Sequence, residues 1–389
     1  MDVLFASDTS FHYFEKNYPG DDQAFAAMAE ASACFAKADF SVINLESTFG
    51  NREDYMPIRK SGPNQISAPQ FLKYIECLGP SAAGFANNHT GDFGDDPIFH
   101  TIDTLTKMGI QAFGAGANIN EAYKPAYFAQ NGNKVAVIGV CENEFGTATE
   151  NKAGSAGYSL GRVTLAIRQA LSAGYVPVIF FHGGNEHYAF PAPVKKELFR
   201  HFVDIGAGAV VAMHTHCPQG YEVYNGAPII YSMGNFFFPA PDYSYGPRLK
   251  VWSYGYMCVL SFENSKVEIK DIIPYRQDFD GVHILEGEER SYVEKYLRTI
   301  SLPIEDDAFL QRYYEAWCIK RNTIWETLQY GDMNDENAPH IKNSLCCEAH
   351  NDILKTESIV RFEGRVEAAE ALRADIEELQ AMKIPSSML

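Results

Sequence analysis

The 389-residue sequence is short of positive charge: 32 Lys and Arg stand against 50 Asp and Glu, a net −18. A surface that negative repels nucleic-acid backbones and anionic membranes. Nucleic acid is therefore excluded as a partner, and an anionic substrate would need a local cation. No stretch approaches the ~18–20 uninterrupted apolar residues of a membrane span. A secretory leader needs a basic segment and then an apolar one. Here Met1 leads almost at once into the strand-like run Val3-Leu4-Phe5-Ala6, so the expected location is cytoplasmic. The 8 cysteines include no C-x-x-C pair, which argues for reduced thiols over a disulfide or zinc-finger framework. A Walker-type loop, H-E-x-x-H, G-x-S-x-G and internal repeats are also missing. Their absence removes the motif-based routes to nucleotide, zincin and serine-hydrolase chemistry.

What is present is ordinary globular composition, 46% apolar and 21% charged. To about residue 280 short apolar runs alternate with amphipathic stretches. The pattern predicts strands at 2–7, 40–44, 82–86, 110–114, 134–140, 175–181 and 208–213. Helices are predicted at 21–37, 68–78, 95–108, 159–173 and 193–205. Such alternation implies a layered α/β domain. Runs 221–225, 228–232, 255–263 and 266–276 read as consecutive strands, with Asn225-Gly226 as a hairpin turn. From 283 onward there are 12 basic and 21 acidic residues, half of the acidic surplus. Val366, Ala369, Leu372, Ile376 and Leu379 fall at helical spacing, so this segment is read as a helical extension of two or three helices. Its apolar stripe needs a cover, either the α/β domain or a second copy of the chain, which would make a homo-oligomer. A chain truncated after about Asp280 is expected to be less soluble yet still to bind metal.

Five apolar runs end in polar, metal-capable residues: Asp8; Asn44-Leu45-Glu46; Asn87-Asn88-His89; His182; and His214-Thr215-His216. In open α/β sheets the ligand crevice lies beyond the carboxyl ends of the strands. Five strands delivering Asp, Glu, Asn and His to one edge point to a divalent metal. Imidazoles with carboxylates suit zinc, manganese or iron. His214 and His216, two apart on an extended chain, would point to the same side. Asn88 offers a neutral oxygen. His89 must then face elsewhere, as an acid or a positive clamp, with Asp92 near enough to orient it. Arg59 and Lys60 lie in a polar loop, either meeting an anionic substrate or simply solvated. Glu186 follows His182 as an orienting partner or a plain loop residue. Asn44 and Asn235 are further candidates for contact with substrate at the crevice rim. Gly114-Ala115-Gly116 lacks a dinucleotide fingerprint and reads as a turn.

These residues carry a resemblance. Asp8, NLE at 44–46, ANNHTGDFG at 86–94, GAGAN at 114–118, HGGNE at 182–186, MHTHCPQGYEVYNG at 213–226 and IIYSMGNFFF at 229–238 resemble the CapA family. That family is named for poly-γ-glutamate capsule synthesis, and its fold is similar to the calcineurin-like metallophosphoesterases. The resemblance implies a four-layer αββα sandwich over 1–282, with 283–389 as an extension outside it. It implies that Glu46 bridges two ions, that Asn88, His182 and His214 complete one, that Asp8 and His216 serve the other, and that His89 is the general acid. The sequence departs from the pattern at Asp8-Thr9-Ser10, where the phosphoesterases have Asp-x-His; His12 comes two residues late. The bridging residue is Glu, not Asp. One metal position is thus well furnished and the second sparser.

Three functions share such a site. One is a metal-dependent hydrolase acting on a phosphoester or on a γ-glutamyl or similar amide, in a small anionic molecule or a polymer. Another is a non-catalytic module that handles an acidic capsular polymer through its metal. The last is a transferase in glycan or peptide decoration.

Overall fold

The computed structural model describes residues 1–14, 19–241, 247–322 and 336–389. Positions 323–335 of the extension therefore lie outside the described residues. The chain opens with β1 (Asp2–Thr9), α1 (Asp21–Phe35), β2 (Phe40–Leu45) and the short strands β3 (Thr48–Phe49) and β4 (Ile66–Ser67). It continues through α2 (Leu72–Leu78), β5 (Ala82–Gly84), α3 (Asp95–Lys107), β6 (Gln111–Phe113), β7 (Ala115–Gly116) and α4 (Ile119–Ala122). Next come β8 (Ala126–Gln130), β9 (Asn133–Cys141), β10 (Gly154–Ser155), α5 (Leu160–Ser172), β11 (Val176–His182), α6 (Pro193–Asp204) and β12 (Ala209–Met213). A strand-rich stretch follows: β13 (Tyr221–Tyr224), β14 (Ala227–Ile230), β15 (Asn235–Phe237), β16 (Tyr254–Glu263), β17 (Lys266–Asp278) and β18 (Gly281–Ile284).

Two sheets face each other. One has the order β18-β17-β16-β1-β2-β5-β6, with β15 also paired to β1; the other runs β13-β14-β12-β11-β9-β8. Strand alternation divides the cores. Val3 and Phe5 of β1 meet Val135, Val137, Val178, Phe180 and Val211 of the second sheet between the layers. Leu4 and Ala6 point the other way, against Ala24, Met28 and Phe35 of α1 and Ile75 of α2. On the far side Ile138, Ile179 and Val210 pack on Val163 and Ile167 of α5 and Phe199 of α6. The result is the α/β sandwich expected, helix–sheet–sheet–helix. The Asn225-Gly226 turn adopts the two positive φ values, 48° and 81°, of a type I′ hairpin.

The strands differ from expectation in detail. β8 and β18 escaped notice because their short runs lack a clear apolar rhythm. β15 pairs in parallel with β1, so the aromatic run at 236–238 is a core strand. The left-handed backbone at His214 and His216, with φ 95° and 52°, replaces the extended chain expected there.

The extension holds six described helices: α7 (Gly287–Ser301), α8 (Asp307–Arg321), α9 (Ala338–Cys346), α10 (Glu348–Phe362), α11 (Val366–Glu370) and α12 (Arg373–Gln380). The apolar stripe is broken between α11 and α12, and its cover lies within the chain. Ala369, Ile376 and Leu379 join the same cluster as the inter-sheet core, through Tyr314 and Trp317 of α8. Tyr188, just beyond β11, stacks on Trp317 with ring centroids 5.3 Å apart. Among the described residues no helix is long and apolar enough to cross a membrane. All eight cysteines are free.

Candidate metal centre

β1 is the middle of the site because its register puts Asp8 beside Asn44 of β2 and Asn235 of β15. β2, β5, β11 and β12 end at the same edge. Asp8 is fully buried and works as a hub. It accepts from Asn44 Nδ2 at 2.8 Å and from the His214 backbone N–H at 2.9 Å, and its Oδ1 lies 3.5 Å from His182 Nδ1. Burial would push its carboxyl up, but His182, His216 and the His214 amide hold it below the ordinary range.

Glu46 is different. Both of its oxygens are buried with no hydrogen-bond partner. His182 Nε2 and His216 Nε2 each stand 3.8 Å from Oε1, and His89 Nε2 stands 4.0 Å away. Burial, then the carboxylates of Asp8, Glu186 and Glu144, push its carboxyl well above the ordinary range. A buried carboxylate without a donor is costly unless a cation answers it. Two sets of donor atoms converge on it, Glu46 with His182 and His214, and Asp8 with Glu46 and His216. The first set gains Asn88, whose Oδ1 is 3.1 Å from His182 Nε2. His214 Nδ1 lies 3.0 Å from the same His182 nitrogen. Burial and then the neighbouring imidazoles hold His214 well below its usual pKa, hence neutral and fit to ligate. The donor set suits a divalent ion, and His12 belongs to neither group.

A ligating histidine holds its other ring nitrogen on a partner. His216 Nδ1 is 2.8 Å from Asn235 Oδ1, while Glu144 Oε1 stands 3.9 Å from His214 Nε2, beyond hydrogen-bond distance. Asn44 and Asn235, read as substrate contacts, thus stand behind the imidazoles. His89 lies beside the ligands, with Asp92 Oδ2 2.7 Å from Nδ1 and Gln65 Nε2 3.0 Å from Nε2. Lys60 is not a solvated loop charge: its side chain is 2% exposed and its Nζ donates to Asp92 Oδ1 at 2.6 Å. Burial, followed by the Lys60 charge, lowers the His89 pKa to about 4. Arg59 is exposed. Glu186 is exposed; against the cost of desolvation, His216, His187, His350 and Arg321 hold its carboxyl below the usual range.

Sequence reasoning missed Gln65 and Glu144. Glu144 had a signal: it follows the apolar run 134–140, as the other site residues follow theirs. Gln65 had none, because only folding carries its loop to His89.

A family model described as bacterial capsule synthesis protein PGA_cap matches residues 2–240. The chain belongs to the PGA_cap family. Among curated PGA_cap relatives, the PGA biosynthesis protein CapA of Bacillus subtilis (strain 168) is 27% identical over 207 residues, 52% of this chain and 54% of that protein. The capsule biosynthesis protein CapA of Bacillus anthracis is 29% identical over 194 residues, 48% of this chain and 47% of that one. A probable polyglutamine synthesis accessory protein of Mycobacterium tuberculosis (strain CDC 1551 / Oshkosh) is 26% identical over 214 residues, 51% and 55% of the two chains. These matches span about half the length of each relative. Every residue of the two donor sets lies inside the PGA_cap match, and the extension lies outside it.

Proposed function

We propose that the chain is a metal-dependent hydrolase of a phosphoester or a γ-glutamyl-type amide in capsule-polymer metabolism. One observation carries the reading: the partnerless, buried Glu46 carboxylate ringed by three imidazoles and Asp8. Glu46, His182, His214 and Asn88 would hold one manganese, zinc or iron ion, and Asp8, His216 and Glu46 a second. Such an ion supplies Lewis acidity and lowers the pKa of bound water to about 7, so no Ser or Cys nucleophile is needed. Asp92 holds the His89 ring through Nδ1, so a proton would move at Nε2, where Gln65 Nε2 stands 3.0 Å away and Glu46 Oε1 4.0 Å. Lys60 neutralises Asp92 and keeps the resting imidazole uncharged. Bound substrate that adds negative charge beside His89 would raise its pKa, so that Nε2 takes up a proton from solvent and then gives it to the leaving group. The names of the relatives, PGA biosynthesis and capsule biosynthesis proteins, support a polymer context.

The test is a screen of the full-length protein on generic phosphoesters and γ-glutamyl anilides, with added Mn²⁺, Zn²⁺ or Fe²⁺. The expected result is turnover that a chelator abolishes. Stoichiometric metal without turnover on any ester or amide would replace the hydrolase with the polymer-handling reading.

A further inference from the structure

The extension reaches the metal centre. Glu348, at the start of α10, accepts from the Asn143 backbone N–H at 2.8 Å and from Asn143 Nδ2 at 2.6 Å. Lys342, on α9, donates to the Glu144 carbonyl, and its ammonium lies 4.3 Å from the centroid of the Phe145 ring. The buried Cys347 puts Sγ 3.7 Å from Glu142 Oε2. Two helices from outside the PGA_cap match therefore grip one loop, residues 142–145. That loop carries Glu144, whose Oε1 lies 3.4 Å from Asn88 Nδ2 and 3.9 Å from His214 Nε2. His350 of α10 is near enough to act electrostatically on both Glu144 and His214. The hold is repeated on the loop after β11, where Gln380 of α12 donates to the His187 carbonyl at 3.0 Å.

An imidazole ligand needs a fixed partner on its second nitrogen, and a carboxylate in that place sets its tautomer and its aim. Glu144 accepts from Asn88 Nδ2 and stands 3.9 Å from His214 Nε2, so it can steady these side chains and close on His214 only if its own backbone is held. Nothing in the strand order holds it, because β9 ends at Cys141. Glu142 is tied within the PGA_cap match, through its N–H on the His182 carbonyl and its carboxylate on Lys195, and Asn143 Nδ2 also reaches the Tyr158 carbonyl; the contacts on the Asn143 N–H and on the Glu144 carbonyl come from Glu348 and Lys342. Resting on the metal reading above, we propose that the C-terminal extension is part of the metal centre, with Glu348 a positioning residue that acts through Asn143 and Glu144 on His214.

The test measures Mn²⁺ affinity by calorimetry on the full chain after chelator treatment, beside the melting temperature of the metal-free protein. Glu348→Ala and Glu144→Ala are each expected to weaken Mn²⁺ by about 10–100-fold, the usual loss for an outer-shell partner. Glu348→Gln keeps one of the two acceptors and should fall between. The double variant Glu144→Ala with Glu348→Ala should bind no worse than Glu144→Ala alone, because one acts through the other. Ile353→Ala, a buried packing change on the same helix, should lower the melting temperature and leave Mn²⁺ affinity unchanged. Equal affinity in wild type and Glu348→Ala, additive losses in the double variant, or a matching loss in Ile353→Ala would each overturn the proposal. A wild type that takes up no divalent ion would remove the metal reading itself, and this inference with it.

Discussion

Asn88 and His89 are neighbours with different surroundings, one facing His182 and the other clamped between Asp92 and Gln65. His89→Ala should therefore retain bound Mn²⁺ while turnover falls by about 10²–10⁴-fold, and by less on substrates with good leaving groups. Metal content and rates on a pair of aryl esters would check this. Asp92→Asn is expected to cost about 3–5 kcal/mol, since it leaves Lys60 buried without its charge partner. The sign of the pH dependence follows from Asp92. Burial raises its carboxyl pKa, but His89 and Lys60 outweigh that and set it below the unfolded value. Its contribution is thus fully present above about pH 4 and is lost as pH falls through the lowered folded value. The gap between wild type and Asp92→Asn in denaturant melts should be wide at pH 7 and close on acidification. At this scale the sequence was informative about which residues gather at the strand ends and poor about those around them. Asp8, Glu46, Asn88, His182, His214 and His216 were legible because each follows an apolar run. Lys60, Asn44 and Asn235 were misread because burial and strand register, not residue type, decide whether an amide or ammonium meets substrate or holds an imidazole.

The elements position these residues through close backbone approaches. Gly114, at φ 84°, leaves β6 against the strand end that carries Asn88, and a Cβ there would lie 2.6 Å from the Ala86 nitrogen. Gly114→Ala combines a disfavoured φ with a backbone clash. It should lower stability by more than the ~1 kcal/mol typical of the φ effect alone and weaken Mn²⁺ binding, both measurable in one thermal-shift titration. The alternation of strands and helices made the layers readable from residue 2 to about 280. The extension was harder. Half of the acidic surplus lies there, yet Tyr296, Leu310, Tyr314 and Trp317 are almost wholly buried. Helices that pack on a sheet edge through aromatic residues give no sequence period for the surface they cover. Leu379→Ala, at 1% exposure in that cluster, should cost about 2–5 kcal/mol, read as a drop in melting temperature.

Across the whole molecule one apolar cluster joins both sheets to the last helix, from Val3 to Leu379. A chain cut after Asp280 would expose Tyr188 and Phe190, which lie against Trp317 and Tyr313, so aggregation on expression is the expected outcome, read by the fraction left in the soluble lysate. Denatured, unreduced protein should titrate for all eight thiols, since none is paired. The contact between Asn143 and Glu348 spans 205 positions, and that separation has a consequence in time. At ~5–20 residues per second, a ribosome finishes the strands bearing the imidazoles roughly 7–27 s before it reaches α10. During that interval a nascent chain carries the ligands without the clamp. On the proposal above, the finished polypeptide would hold an ion more tightly than the nascent one, and a message that stops early would yield a product that holds it more weakly.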